Sequence, residues 1–250
     1  MEGEDAMISF DFEYYRPGSI DEAVQTFQRL AFESKSPIYY AGGAEIISMS
    51  RANRIRPGAV IDIKGIPECN VLEAQGGTVV IGAAVSQNRA YESNAIPLLT
   101  TVLRRSADHT SRNRITIGGN ICGKLPYREC SLPFLLMDSG ATVAGPGGIK
   151  HVPVRELIDG AAPDGTRAKP GEFLVRVDTD MSYTSVPHAF VKKTRASKVD
   201  YPLLSVAAIK VDGRVRAAFS GVCASPFRSV EIEGALNSPE LSLASRIDQA

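Results

Sequence analysis

The first clear hydrophobic pattern follows the Pro17-Gly18 pair. Four apolar residues there recur three or four positions apart, so a helix would place them on one face. They are Ile20, Val24, Phe27 and Leu30. Ser19 precedes this run and Glu22 stands three residues later, which is the spacing of a capping box. The pattern predicts an amphipathic helix over Ile20–Phe32.

Short β-prone runs and further helices alternate up to about residue 180. The pattern predicts strands at 38–41, 60–63, 71–74, 78–81, 141–144, 149–154 and 173–177. It predicts helices at 45–52, 86–94, 97–107 and 131–137. The Gly76-Gly77 pair between two of the strands indicates a β-hairpin. Residues 159–171 are rich in Gly, Pro and charge without periodicity, which is typical of a loop.

The pattern changes near Met181. Strand signals follow at 189–193, 203–211 and 215–222, and the Asp212-Gly213 turn between the last two is a strong hairpin marker. A helical pattern runs from 236 to 250 without a stop signal, which leaves open a larger C-terminal unit or a naturally short terminus. We therefore expect an α+β protein with one domain over 7–180. A second domain, with an antiparallel sheet and a helix, is expected over 181–250.

Composition and charge exclude several classes of function. The chain has 250 residues, and its 28 Lys and Arg residues balance 28 Asp and Glu residues. Because there is no basic surplus, nothing favours nucleic acid or an anionic membrane surface as a partner. No apolar run is long enough to span a bilayer. The acidic and polar segment 1–7 is unlike a secretory signal.

The cysteines indicate a reducing compartment. Cys69, Cys122, Cys130 and Cys223 form no C-x-x-C pair, so a compact zinc or iron–sulfur site within this chain is not expected. Four dispersed thiols in a chain of this length fit a cytoplasmic protein better than a disulfide scaffold. We predict isolated, buried thiols.

Two Gly-Gly segments are the strongest candidates for a binding site. One covers residues 39–45, between a predicted strand and a predicted helix, and the other covers residues 114–121. Glycine at a strand end lets main-chain N–H groups approach a ligand closely, and successive N–H groups near a helix N-terminus bind anions. The two segments together could clamp a pyrophosphate. Two ordinary tight turns are the alternative, and it is the better one for either pair taken singly.

Other motifs are missing or incomplete. The chain has no G-x-G-x-x-G fingerprint. Gly118, Gly123 and Lys124 have P-loop spacing, but Leu125 stands where a P-loop needs Ser or Thr for magnesium. The three histidines are far apart in sequence, and no nucleophile or metalloprotease motif is present. We predict no catalytic residue and no metal site in a chain that holds a cofactor, which supplies the chemistry.

Six segments follow one another in a specific order between about Phe12 and Glu233. They are AGGAEI at 41–46, VIDIKGIPEC at 60–69, TIGGN at 116–120, Glu129 with LLMDS at 135–139, Phe190 with Lys192 and Asp200, and GVCASPFR at 221–228. This ordered set resembles the FAD-binding (medium) subunit of molybdenum hydroxylases, the family of xanthine dehydrogenase and carbon monoxide dehydrogenase. The resemblance implies a two-subdomain FAD-binding domain of the PCMH type, followed by the smaller C-terminal domain.

The resemblance also implies which residues hold FAD, bound non-covalently. The two Gly-Gly segments would wrap its pyrophosphate and ribityl chain with main-chain donors. Glu45 and Glu129 would bind FAD hydroxyls. Leu174 would lie by the adenine, and Lys192 near the isoalloxazine. The complete expected set is Ala41, Gly42, Gly43, Ala44, Glu45, Ile46, Thr116, Ile117, Gly118, Gly119, Asn120, Glu129, Leu174 and Lys192.

Two of these positions depart from the family pattern. Ala44 stands where the family usually has Thr or a small polar residue, and Glu129 is one methylene longer than the usual Asp. A solvated helix cap is the alternative role for Glu45 and Glu129. A strand-surface lysine is the alternative for Lys192.

The implied function is that of an oxidoreductase subunit. A small partner would carry iron–sulfur clusters that reduce the FAD, and a large partner would carry the molybdopterin. NAD or another acceptor would take the electrons. A stand-alone flavin oxidoreductase of the same fold and a flavin-less assembly module are the alternatives.

Overall fold

The computed structural model describes residues 8–159, 169–195 and 201–249. The N-terminal segment 1–7, most of the predicted loop at 159–171, and Asp200 of the fifth motif segment lie outside the described residues. The described residues form three sheets joined by short helices.

The N-terminal part is built on a small parallel sheet. Strand β1 (Glu13–Tyr15) leads through helix α1 (Ile20–Phe32) to β2 (Pro37–Tyr40), and helix α2 (Ala44–Arg51) then leads to β3 (Ala59–Asp62). The strand order is β1-β3-β2, with both pairings parallel. All of β3 is buried because it is the central strand. The ends of β2 and β3 therefore lie side by side, where the first Gly-Gly segment begins.

A five-stranded antiparallel sheet follows. Its strands are β4 (Leu72–Gln75), β5 (Thr78–Gly82), β6 (Gly140–Gly145), β7 (Gly148–Pro153) and β8 (Phe173–Asp180). They are ordered β4-β5-β8-β6-β7. The predicted hairpin around Gly76-Gly77 is confirmed by the pairing of β4 with β5. Since β8 separates β5 from β6, the chain leaves the sheet between these two strands.

Short helices fill that connection and follow β7. They are α3 (Gln87–Ser93), α4 (Pro97–Leu103), α5 (His109–Arg114), α6 (Ile117–Cys122), α7 (Ser131–Leu136) and α8 (Val154–Asp159). Every residue of α7 is buried. The predicted helix at 97–107 is too long, because Asp108 accepts a hydrogen bond from the Ser111 amide at 2.8 Å and starts the next helix.

The C-terminal part opens with a separate antiparallel sheet, as predicted. Its strands are β9 (His188–Thr194), β10 (Pro202–Val211), β11 (Arg214–Ser220) and β12 (Phe227–Arg228), in the order β12-β11-β10-β9. Helices α9 (Val230–Leu236) and α10 (Leu243–Gln249) follow. The continuous helix predicted over 236–250 is wrong in its bounds, because Ser229 caps a helix that ends at Leu236.

Side chains in and just after α9 complete the outer edge of β11. Strand β12 pairs only with Ala218 and Phe219. Beyond them, Asn237 donates to the Val215 carbonyl and accepts from the Val215 amide, both at 2.7 Å. Glu233 accepts from the Ala217 amide at 3.2 Å. These bonds satisfy main-chain groups that would otherwise be exposed along the strand edge.

A charged cluster ties the C-terminal sheet to the end of α7. Asp138 accepts from Arg216 at 2.7 Å and from Arg228 at 2.9 Å. Arg228 also binds both carboxylate oxygens of Glu233, at 2.8 and 3.0 Å, and the Leu135 carbonyl at 3.0 Å. The motif segments at 135–139 and 221–228 thus meet in one cluster, which explains why both carry a charged residue.

One hydrophobic core runs through all three sheets. Phe190, Ala207, Ile209 and Ala218 of the C-terminal sheet belong to the same buried cluster as the first two sheets. The predicted domain division at 180/181 falls between β8 and the 3₁₀ turn Met181–Ser185. Within the described ranges, no helix has both the length and the apolar character that crossing a membrane requires.

Candidate cofactor site

The first Gly-Gly segment starts helix α2 with an unusual cap. Gly43 is its N-cap residue and has φ of 73°, a left-handed conformation that glycine adopts without strain. No side chain caps the amides of the first turn, whereas Ser, Thr or Asp side chains cap α1, α3, α5, α6 and α9. Helices α4 and α7 also lack a side-chain cap, but only α2 follows a Gly-Gly pair, and its uncapped first-turn N–H groups could accept an anion.

The second Gly-Gly segment is the start of a helix, and its interpretation as a turn at a strand end is wrong. Thr116 is the N-cap of α6, and its Oγ1 accepts from the Gly119 amide at 3.1 Å. The Ile117 and Gly118 amides donate to the carbonyls of Val85 and Ala83, both at 2.9 Å. These bonds fix the segment against the end of β5. Because Thr116 Oγ1 accepts from the Gly119 amide, the chain starts a helix here rather than continuing as a strand.

Around Gly119, the described residues crowd a side chain at one point only, the hydroxyl that caps the helix. Gly119 is exposed, and among the described residues a Cβ here would come close only to Thr116 Oγ1, at 2.9 Å. By contrast, a Cβ at Gly118 would lie 2.5 Å from the Ala83 Cβ. The next residue, Asn120, has a buried Oδ1 with no hydrogen-bond partner among the described residues. Bare main chain beside an unsatisfied acceptor is what a ligand with hydroxyl donors would complete.

The two segments are in direct contact. A Cβ at Gly42 would overlap the carbonyl oxygen of Arg114, so the chain just before the second segment packs on Gly42. Glu45 accepts from the Lys124 amide through both carboxylate oxygens, at 2.9 and 3.2 Å. A Cβ at Gly123 would lie 2.7 Å from Glu45 Oε2. The first turn of α2 and the chain after α6 therefore form one continuous surface.

The second motif segment, residues 60–69, also reaches this surface, a role that the sequence analysis did not assign to it. Lys64 Nζ donates to the Ala41 carbonyl at 2.8 Å and pairs with Asp62 at 2.8 Å. The sequence did contain a signal for this role, because Asp62 is a charged residue at the end of a strand whose residues are all buried. Such a residue needs a partner.

The structure brings Glu129 and Lys192 together, and the two side chains bind each other. They form an ion pair of 3.2 Å, and Ser205 donates to the other oxygen of Glu129 at 2.6 Å. Lys192 also donates to the Arg105 carbonyl at 3.1 Å. Only 6% of the Glu129 side chain and 3% of the Lys192 side chain are exposed, so neither is a solvated cap or a surface lysine.

The environment of this pair sets its electrostatics. Burial raises the pKa of the Glu129 carboxyl, while Lys192 and the Ser205 hydroxyl oppose that rise. Ser205 lies on β10 opposite Lys192 on β9. Sequence reasoning missed Ser205 because the pairing of two strands, not any local motif, places it there.

The remaining predicted residues differ in accessibility. Leu174 is only 3% exposed and belongs to the hydrophobic core of the β8 region. Its neighbour Phe173 packs on the Tyr39 ring, with 4.5 Å between centroids. Ala44 is exposed, and Ile46 is half-buried. The adenine contact of Leu174 therefore stays a prediction.

The cysteines offer no sign of metal binding within the described part of the chain. Cys69 and Cys130 are buried as predicted, but Cys122 is half-buried and Cys223 is exposed, so the prediction of four buried thiols is wrong for these two. Burial raises the pKa of Cys69 to about 12 and raises that of Cys130 further. Among residues 8–159, 169–195 and 201–249, no three His, Cys, Asp or Glu side chains converge as metal ligands.

Comparison with known proteins gives consistent matches. Residues 10–179 match the family described as FAD binding domain in molybdopterin dehydrogenase. The carbon monoxide dehydrogenase medium chain of Hydrogenophaga pseudoflava is 34% identical over 151 residues, which are 59% of this chain and 52% of the relative. The corresponding chain of Afipia carboxidovorans is 30% identical over 195 residues, 76% of this chain and 65% of the relative. The chain thus spans about half to two thirds of these curated relatives.

Solved structures confirm the fold class. A carbon monoxide dehydrogenase chain from Hydrogenophaga pseudoflava superposes with a TM-score of 0.87 at 26% identity, over 97% of this chain and 87% of that one. A chain of quinoline 2-oxidoreductase from Pseudomonas putida 86 superposes with a TM-score of 0.82 at 21% identity, over 94% and 83% of the two chains. The second likeness concerns the fold alone.

Proposed function

Because the chain belongs to the family of FAD-binding domains of molybdopterin dehydrogenases, we propose that it is the FAD-binding subunit of a molybdopterin-dependent hydroxylase or dehydrogenase. The observation that carries this proposal is the contact between the two Gly-Gly segments, with the uncapped start of α2 on one side and the bare backbone of Gly119 on the other. FAD is the cofactor of this family of domains.

The proposed FAD site uses main-chain donors for the diphosphate. The amides of Ala44, Glu45 and Ile46 open α2 without a side-chain cap, and a helix N-terminus favours two negative phosphates. Across the contact, Gly118 and Gly119 leave the start of α6 without side chains. The buried Oδ1 of Asn120 needs a hydrogen-bond donor, and a ribityl or ribose hydroxyl would supply one. The geometry therefore fits a dinucleotide that runs along this surface.

The other residues of the predicted set also receive roles in the proposed site. We keep Thr116 and Ile117 in the proposed second segment, where the Thr116 cap and the Ile117 amide bond to Val85 hold the main chain in place, and we assign Leu174 to the adenine. Lys192 uses two of its three N–H donors on Glu129 and Arg105 within the described residues, so its third donor can serve the flavin. Its charge would favour the anionic reduced ring, while Glu129 holds the ammonium in place.

In the assembled enzyme, FAD would take electrons one at a time from iron–sulfur clusters on a small partner and pass them to NAD or another acceptor. A large partner would hold the molybdopterin and the substrate. This chain's residues bind and orient the cofactor and exclude water from it. We place FAD binding in residues 7–180 and propose that residues 181–250 form a second unit, in a cytoplasmic protein with non-covalent FAD.

Two alternative functions predict different behaviour of the purified chain. A stand-alone flavin oxidoreductase of the same fold would turn over substrate without partners. A flavin-less assembly module would bind partners and remain colourless. The contacts around Gly42 and Gly119 favour a flavin site over the second alternative.

The test is expression of the full chain alone and together with its neighbouring genes. We expect a yellow protein that releases FAD on acid denaturation, identified by mass spectrometry of the supernatant. Flavin that stays in the precipitate would contradict non-covalent binding. Co-purification with a small iron–sulfur protein and a large molybdopterin protein would support the subunit role. Full turnover by the chain alone would overturn that role.

A further inference from the structure

Lys64 lies beside the first Gly-Gly segment, and although 39% of its side chain is exposed, its ammonium contacts three groups. Its ammonium donates to the Ala41 carbonyl at 2.8 Å and pairs with Asp62 Oδ2 at 2.8 Å. It also lies over the Tyr40 ring, 4.5 Å from the centroid, a distance at which a cation and an aromatic face attract each other. All three contacts are with residues at the ends of β2 and β3.

Asp62 anchors this lysine in the core. It is 1% exposed and accepts from the Lys64 amide at 2.9 Å. The Tyr14 hydroxyl donates to the same carboxylate, from strand β1 on the other side of β3. A buried carboxylate that is hydrogen-bonded from two directions cannot follow the ammonium if the latter moves. Lys64 is therefore fixed to the sheet, not to the loop.

The loop is fixed to Lys64 in turn. The Tyr40 ring occupies the space beside Gly43 that a Cβ would otherwise fill. The Ala41 carbonyl lies one residue before Gly42, which packs on Arg114. Lys64 thus contacts two successive residues, Tyr40 and Ala41, immediately before the turn into α2. Without its ammonium, the Ala41 carbonyl would lose a charge-assisted hydrogen bond and the Tyr40 ring its cation.

We propose that Lys64 is a positioning residue, which holds the first Gly-Gly segment in its diphosphate-receiving conformation before FAD binds. This inference rests on the proposed FAD site. Lys64 acts through the Ala41 carbonyl and the Tyr40 ring, and it makes no contact with the phosphates. Pre-organisation of the loop lowers the ordering cost of binding, so the benefit extends to any ligand with the same diphosphate.

The test uses the flavin-free full chain and titration calorimetry with FAD and with ADP, which shares the diphosphate but lacks the isoalloxazine. Lys64→Met keeps the length and removes the charge, and we expect FAD and ADP to bind about tenfold more weakly. Lys64→Arg can donate to both the carbonyl and Asp62, and should restore binding to within about threefold of the original chain. Lys210→Met, on the exposed side of β10, is the matched control and should change neither affinity.

Salt separates positioning from direct attraction. The loss in Lys64→Met should persist in about 0.5 M NaCl, because salt screens attraction between separated charges far more than the direct hydrogen bond of Lys64 to the Ala41 carbonyl. A loss that vanishes in high salt would mean direct attraction to phosphate and would overturn the inference. So would unchanged affinity in Lys64→Met, or a loss for FAD without one for ADP. If Lys64→Met melts well below the original chain, the failure of Lys64→Arg to restore binding in a stable protein would overturn it. An original chain that binds neither ligand would instead refute the proposed FAD site.

Discussion

The two Gly-Gly pairs are identical as dipeptides, yet the fold uses their four glycines differently. Gly42 has no side chain because the Arg114 carbonyl occupies that space, and Gly43 has φ of 73°. Gly118 packs on Ala83. Gly119 is the exception, since neither its conformation nor a close neighbour other than Thr116 Oγ1 requires glycine. Apart from that one contact with the cap hydroxyl, the described residues leave the position open, which makes Gly119 the better indicator of a ligand.

The largest expected effect is at Gly42. Gly42→Ala would force a Cβ into the Arg114 carbonyl, and we expect it to lower the unfolding free energy by about 3 kcal/mol or more. Urea denaturation of the flavin-free chain measures this loss. A Gly42→Ala chain as stable as the original would show that the two segments are not in contact in solution, and that packing does not explain the glycine at position 42.

At Gly119 we expect a substitution to lower FAD affinity more than it lowers the stability of the flavin-free chain. Gly119→Val should weaken FAD binding about a hundredfold, because a branched side chain fills the space proposed for the ligand, while the flavin-free chain keeps a cooperative unfolding transition. Flavin fluorescence titration and thermal melts give the two numbers. Gly234→Ala is the control, because Gly234 is also helical and a Cβ there meets nothing within 4 Å of the described residues. Its FAD affinity should be unchanged.

Thr116 sharpens the comparison, since only the second segment has a side-chain cap. Thr116→Ala removes the acceptor of the Gly119 amide and should cost about 1 kcal/mol of stability. Thr116→Ser keeps the hydroxyl and should restore most of that loss. Chemical denaturation measures the unfolding free energies of both variants, and equal values for the two would mean that the cap is not formed.

The smallest effect concerns the anchor of the first segment and appears only in alkali. The hydrogen bond with Asp62 raises the pKa of Tyr14 from 10.0 to about 12. Because the folded pKa is the higher one, the stabilisation is complete below pH 10 and is lost as the pH rises through 12. The stability difference between the original chain and Tyr14→Phe should therefore shrink across that window. A difference independent of pH would contradict the bond.

Local signals predicted the parts of the fold that neighbouring residues determine. Helix α1 has the predicted bounds because Ser19 Oγ does accept from the Glu22 amide, at 3.2 Å. A similar signal was overlooked at Ser229, whose hydroxyl accepts from the Ile232 amide ahead of two glutamates. Helices α5 and α6 were missed because six residues leave too little periodicity to recognise.

The long-range part of the site could not be read in the same way. The motif residues Gly42, Gly119 and Lys192 could be named in advance, but not which partners they meet. The ion pair of Lys192 and Glu129 joins residues 63 positions apart, and the parallel pairing of β1, β3 and β2 depends on crossovers rather than turns. Such contacts follow from the packing of whole sheets.

The edge of β11 has a consequence for handling the protein. Asn237 and Glu233 occupy main-chain groups of Val215 and Ala217 in place of a neighbouring strand. Side chains protect this edge only while α9 is docked. A truncation or a tag that displaces α9 would present an open strand to other molecules, and such edges recruit second copies through intermolecular β-pairing. Aggregation of C-terminally shortened chains would then reflect exposed backbone, with the proposed FAD site intact.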